Sequence, residues 1–276
     1  FDQEIVWRPT PEQIDKTNLA RFMRREGIDG LPALLDRART DVAWFWDAVM
    51  RDLGIEFQKP YTAVYEDTGD PAVPRWCVGG EMNIAHNLLD KWQHDPETRD
   101  RVALRWEGEE GATRTLTYAE LHAEVCRCAN GLRARGLGKG DRIGLLMPMT
   151  PELVVAFLAV VKIGGVILPL FSGYGPDAIA TRLNDGEAKA LFTSNAVYRR
   201  GRAIALKPTA DEALEHVPGL AHVFVHERIP GEATDYVEGR DVRWQDLMDG
   251  QPDEAATEPT GAEDVVMIIY TSGTTG

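Results

Sequence analysis

The chain has 276 residues, of which 43% are hydrophobic and 27% charged, the composition of a globular protein with a substantial core and not of a disordered or fibrous chain. A formal net charge of −14 supplies no basic face to displace counterions from a phosphate backbone, which argues against nucleic-acid binding. The acidic balance reads as a solubility device, and the length allows roughly two domains of about 150 residues each.

In chain order, the opening FDQEIVWRP carries no signal-peptide pattern. Residues 1–95 read as a mainly helical extension. Helices are predicted over Pro11 to Glu26, Leu31 to Thr40 and Asp41 to Leu53. Trp44, Phe45, Trp46 and Val49 give the last of these a bulky apolar face expected to dock on something larger. From Lys59 to Gly80 the density of Pro, Gly and Asp predicts an extended surface segment, and Asn83 to Trp92 a short helix.

A different rhythm fills residues 96–276. Val102 to Trp106 and Thr113 to Thr117 read as a hairpin turning at GEEG. Thr117 and Glu120 are spaced as a capping box for the following helix, which Gly136 ends. Further strands are predicted at Arg142 to Met147, Val166 to Leu170, Ala188 to Thr193, Ala221 to His226 and Asp264 to Tyr270. Helices alternate with them, from Thr150-Pro151 onward, where Thr is the expected cap, and at Pro176 to Asn184 and Thr209 to His216. Apolar strands alternating with helices predict an α/β fold with a doubly wound, mostly parallel sheet.

Leu153 to Leu170 is long and apolar, but Lys162, Gly164, Gly165 and Pro169 interrupt it. A buried helix, a turn and a buried strand account for it better than a membrane span. Three cysteines, Cys77, Cys126 and Cys128, make no disulfide framework, and a cytoplasmic location is expected. Cys126 and Cys128, two apart on a helix, face different ways and do not read as a metal pair. No HExxH occurs among the six histidines, and no metal ligand is assigned.

The chemistry concentrates at the end. The apolar DVVMIIY runs into Thr271-Ser272-Gly273-Thr274-Thr275-Gly276. Glycines let backbone approach a polyphosphate closely. Successive amides form anion nests, and four hydroxyls add donors. A Ser/Thr/Gly-rich surface turn would look the same in isolation; the strand before it favours a site. Neither a Walker A loop nor a GxGxxG is present. YTSGTTG resembles the phosphate loop of adenylate-forming enzymes, whose pattern continues with Pro-Lys-Gly, so the chain reads as an N-terminal fragment stopping inside the loop. LTYAELHAEVCRCANGLRARGLGKGDRIGLLMPMTPELVVAFLAVVKIGGV resembles the same family in order and spacing. FMRREG, Phe45-Trp46, RWCVGGEMNIAHNLLDKW and FSGYGPDAIATRLNDGEAKALFTSNAVYRRGRAIALK resemble its acetyl-CoA synthetase-like members.

That resemblance implies ATP, Mg2+ and CoA as ligands and a small carboxylate as substrate. It places the ATP phosphates on Thr271, Ser272, Gly273, Thr274, Thr275 and Gly276. It places CoA on Arg199, Arg200, Gly201 and Arg202, and on Gly173. Arginine suits the CoA phosphates, although such runs are commonly solvated loops. At Gly173 the pattern departs from the family: Ser172-Gly173 replaces two adjacent glycines, and Gly175 stands for a usual serine. No catalytic residue is assigned, and a fragment alone is expected to be inactive. Two other readings stand beside this one: an adenylate former that does not use CoA, and a non-catalytic nucleotide- or CoA-binding module. The identity of the acid and the oligomeric state are not legible in these residues.

Overall fold

The computed structural model describes residues 5–232 and 234–271. Contacts group the chain into two compact units, Phe1–Glu81 and Met82–Gly276. Residues 82–95, which composition grouped with the extension, fall in the larger unit. Asn83 Nδ2 donates to the carbonyls of Val161 and Glu258, both at 2.8 Å, and Ala85 and Leu89 are buried in the larger unit's core.

In the first unit the helix expected over 11–26 is two: α1 (Pro11–Asp15) and α2 (Asn18–Arg25). Thr17 breaks it by turning out to accept from the Ala20 N–H and cap the second. Then come α3 (Leu31–Thr40) and α4 (Val42–Asp52). Phe22, Leu34 and Ala48 form a small core, and the bulky face of α4 covers it through Trp44, Phe45 and Val49. The stretch expected to be extended and irregular contains a hairpin, β1 (Ala63–Glu66) with β2 (Arg75–Val78). Tyr65 and Trp76 face each other across it with rings 5.1 Å apart, a cross-strand aromatic pair that offsets the weak strand propensity of its neighbours.

The second unit opens with α5 (Ile84–Leu88), a 3-10 turn at Asp90–Gln93 in place of one longer helix, and α6 (Pro96–Arg99). The hairpin β3 (Val102–Glu107) and β4 (Thr113–Thr117) leads into α7 (Tyr118–Ala134). The capping box forms as expected: Thr117 Oγ1 accepts from the Glu120 N–H at 3.2 Å, and Glu120 accepts from the Thr117 N–H at 2.8 Å. Gly136, at φ +77, closes the helix, with its N–H on the Arg133 carbonyl and the Leu137 N–H on that of Leu132, a Schellman ending.

The chain then alternates: β5 (Arg142–Leu146), α8 (Pro151–Lys162), β6 (Val166–Pro169), α9 (Pro176–Asp185) and β7 (Ala190–Ser194). After a hairpin, β8 (Ala196–Arg199) and β9 (Arg202–Ala205), come α10 (Lys207–Leu214), β10 (His222–His226), β11 (Asp241–Arg243) and α11 (Trp244–Met248). The central sheet has the order β11-β10-β7-β5-β6 and every pair in it is parallel. Side chains alternate between two cores. Ile143, Leu145, Ile167, Ala190, Phe192 and Phe224 meet α7, α8 and α11. Leu146, Leu168, Leu191, Val223 and Val225 meet α9 and α10. Each large side chain so buried contributes about 1.5–3 kcal/mol, and the helices on both faces make the sheet doubly wound, as expected. Gly144 leaves room for close packing of α9 on the sheet: a Cβ there would lie 2.8 Å from both Leu183 and Leu191.

The apolar run 153–170 is α8, a turn at Gly164 and β6. Among the described residues no helix is long and apolar enough to cross a membrane.

Two local expectations need correction. Thr150 occupies the cap position of α8, but its hydroxyl makes no cap hydrogen bond and is buried. The strand expected over 264–270 shrinks to a single parallel bridge, Ile167 with Met267, held by Ile167 N–H to Val266 O (3.0 Å) and Ile268 N–H to Ile167 O (2.9 Å). The segment lies outside β6 at the rim of the sheet. Met267 and Ile268 turn to the two cores, while Val265 and Ile269 are 59% and 65% exposed. Its apolar run is therefore an edge and not a buried strand.

Candidate functional site

Counted in chain order within the sheet, the strands run 2-1-3-4-5, with β5 and β7 adjacent and their connections leaving in opposite directions. In such sheets ligands settle outside the carboxyl ends of the strands at this switch point. Three buried hydroxyls belong to those ends: Thr150 after β5, and Thr193 and Ser194 closing β7. None has a hydrogen-bond partner among the described residues. A cleft of ≈ 190 Å³ opens beside Met149, Thr150, Ser172 and Tyr198.

The hairpin that follows β7 carries the predicted arginines. Arg199 pairs with Arg202 as the last rung of β8 and β9. Arg200 and Gly201 form the two-residue turn at φ +54 and +73, the positive angles of a type I′ hairpin. The turn is tied down from outside, because the Gly201 N–H donates to Glu109 in the turn between β3 and β4. The adjacent Glu110 accepts from Arg228 Nη2 at 3.0 Å with both oxygens. The Arg228 guanidinium lies over Trp106 (5.0 Å) and Tyr198 (5.4 Å). The GEEG turn was legible as a turn; that its acids brace an arginine hairpin was not, since nothing local pairs Glu109 with Gly201.

Arg199, Arg200 and Arg202 are exposed and, with Ile204, line an open cleft of ≈ 530 Å³. Gly173 joins them. A Cβ built on it would meet Arg199 Nη1 at 3.0 Å and Phe171 Cε1 at 2.5 Å. Arg199 Cζ stands 5.7 Å from the Phe171 ring. Gly173 thus lies beside Arg199, which shares the cleft with Arg200 and Arg202, despite the distance between them in sequence.

Of the predicted phosphate loop, Thr271 is described and exposed. Ser272, Gly273, Thr274, Thr275 and Gly276 lie outside the described residues. The residue before it is anchored: Tyr270 donates its hydroxyl to Asp185 at 2.5 Å. Burial and that carboxylate push its pKa up to about 12. Near the switch point, burial lowers the pKa of His226 despite Glu152 at 3.9 Å, so its imidazole is neutral at pH 7. All three cysteines are free, and no cluster of metal-ligating side chains occurs among the described residues.

Comparison with known proteins adds to this geometry. The family model "AMP-binding enzyme" matches residues 91–276, and "Acetyl-coenzyme A synthetase N-terminus" matches residues 32–88. An acetyl-coenzyme A synthetase of Methanothrix thermoacetophila is 37% identical over 273 residues, 97% of this chain and 40% of that protein. One of Sodalis glossinidius is 44% identical over 227 residues, 80% of this chain and 34% of its own length. Among solved structures, acetoacetyl-CoA synthetase from Streptomyces lividans superposes with a TM-score of 0.90 at 27% identity, covering 99% of this chain and 42% of that one. The chain thus spans well under half the length of these relatives.

Proposed function

The chain belongs to the AMP-binding enzyme family, with the acetyl-coenzyme A synthetase-like members, and from that membership we propose that it serves an ATP-dependent short-chain acyl-CoA synthetase. In the first half-reaction a carboxylate attacks the α-phosphate of MgATP, giving acyl-adenylate and pyrophosphate. In the second, the CoA thiol attacks the mixed anhydride, giving acyl-CoA and AMP. Thr271 to Gly276 hold the β- and γ-phosphates and stabilise the departing pyrophosphate through backbone and hydroxyl donors. Arg199, Arg200, Gly201, Arg202 and Gly173 hold the phosphorylated end of CoA. We assign residues 1–95 to the N-terminal extension and 96–276 to the first part of the AMP-binding domain, and place the protein in the cytoplasm.

One observation supports the CoA half of this reading: Arg199, Arg200 and Arg202 line one open cleft, with Gly173 against the Arg199 guanidinium, in a chain of net charge −14. Arginines fit a diphosphate and a 3′-phosphate bidentately.

The test is an assay of the whole protein with ATP, CoA and a panel of carboxylates. Acid-dependent ATP–pyrophosphate exchange together with CoA thioester formation is expected, and residues 1–276 alone should give no exchange. Exchange without thioester would instead mark an adenylate former that does not use CoA. Tight CoA or nucleotide binding with neither reaction would mark a binding module.

A further inference from the structure

Arg182 is 8% exposed on α9 and forms no ion pair with a carboxylate among the described residues. Its Nη1 donates to the carbonyl of Ala178 in its own helix at 2.8 Å, and its Nε has no partner. A buried guanidinium without a counter-ion is costly to desolvate. Here two aromatic rings take the place of a carboxylate: Arg182 Cζ lies 4.4 Å from the ring centroid of Tyr174 and 5.4 Å from that of Tyr270, both inside the range of cation–π attraction.

The two rings belong to different segments. Tyr270 directly precedes Thr271, and its hydroxyl is tied to Asp185, one turn beyond Arg182 on the same helix. Tyr174 directly follows Gly173, and its ring meets Phe171 edge-on at 5.7 Å. Phe171 in turn carries the Arg199 guanidinium at 5.7 Å. The contacts make a continuous ladder of rings and guanidinium groups, Tyr270–Arg182–Tyr174–Phe171–Arg199, and Arg182 is its middle rung.

We propose that Arg182 is a positioning residue that sets both ligand sites at once, holding the approach to the phosphate loop through Tyr270 and the CoA-facing loop through Tyr174. It touches neither substrate. It acts by fixing where Thr271 begins and where Gly173 and Arg199 meet. This inference rests on the acyl-CoA synthetase reading above.

The experiment compares Arg182→Met and the charge-preserving Arg182→Lys with the unsubstituted whole enzyme. It measures KM for MgATP in ATP–pyrophosphate exchange and KM for CoA in thioester formation. Methionine keeps the apolar stem and removes both cation–π contacts. Both KM values should rise on the order of fivefold to tenfold, with lysine between the two. A residue that only supports packing would reduce Tm and kcat, through the fraction of folded enzyme, and leave both KM values alone. That outcome overturns the proposal, as does a shift confined to one of the two. If the methionine variant does not fold, the lysine variant decides in the same way. Tyr270→Phe, which keeps the ring and removes the hydroxyl's bonds to Asp185 and to the Arg182 carbonyl, should raise KM for MgATP and leave that for CoA unchanged; an unchanged MgATP value would contradict the Tyr270 arm. Lack of exchange by the unsubstituted enzyme with every acid of the panel would remove the acyl-CoA synthetase reading itself, and this inference with it.

Discussion

The backbone of Gly173 passes so close to Arg199 that a methyl group at 173 would stand 3.0 Å from the guanidinium Nη1. The absence of a side chain at one position is thus part of how the other is held. Gly173→Ala requires no unusual backbone, but it must displace the Phe171 ring and the end of the Arg199 side chain. A penalty of about 1 kcal/mol, at the low end for overpacking, corresponds to a rise of roughly fivefold in KM for CoA. ATP–pyrophosphate exchange should be unaffected. Equal losses in both half-reactions would separate Gly173 from CoA.

Charge reversal of the hairpin is the stronger perturbation. Arg199→Glu with Arg202→Glu should raise KM for CoA by roughly tenfold or more for each residue, at about 1.5–3 kcal/mol per charge-assisted contact. The adenylation half should be nearly unchanged, because Thr271 is carried by a different segment. An unaltered KM for CoA would remove these arginines from the site and leave the phosphate-loop assignment standing.

Much of this was legible from local pattern, and what was not has identifiable causes. The capping box at Thr117 and Glu120 and the glycine ending at Gly136 are short-range devices, so the residues that form them are written side by side. The β8–β9 hairpin was missed because Arg200 occupies a positive-φ position that usually announces itself as Asn or Gly. The arginines were identified, but not their convergence with Gly173, which depends on how two loops fold together. The strand at 264–270 was over-read for the opposite reason. Its apolar residues match a buried strand, and only its place at the rim of the sheet leaves Val265 and Ile269 in solvent.

Lys162 offers a test of the core. It is 1% exposed, and its ammonium donates to Asp90 at 2.8 Å and Thr257 at 2.7 Å, joining α8 to segments far away in sequence. Lys162→Met should cost about 3–5 kcal/mol, since it strands a half-buried carboxylate. Adding Asp90→Asn should restore part of that loss. Urea denaturation of the two variants measures both effects, and a neutral Lys162→Met would show that Asp90 is solvated without its partner.

Stability should also fall on mild acidification. Burial depresses the pKa of His226, among Glu152, Arg228, Arg114 and Glu227, and that of His122, beside Lys162 and Asp90. The unfolded chain, with histidines near the usual 6.5, then binds more protons than the folded one. The stabilisation is present above about pH 6.5 and is lost as pH drops through the depressed folded values. The depressed pKa of Asp241 acts only in a lower window, below the ordinary aspartate value. Denaturation midpoints should decrease from about pH 7.5 to about pH 5.5, and His226→Gln should flatten the trend.

The exposed rim beside β6 also bears on how these residues behave when handled by themselves. Among the described residues a single bridge joins 266–268 to the sheet, and Val265 and Ile269 present apolar surface beside it. Such an edge invites a second copy to add a strand. Opposing this is the mutual repulsion of molecules that each carry a charge of −14, a force that salt weakens over a Debye length of about 8 Å at physiological ionic strength. Preparations of residues 1–276 should therefore remain dispersed in dilute buffer and self-associate as salt is added, and a lysine in place of Ile269 should hold them apart.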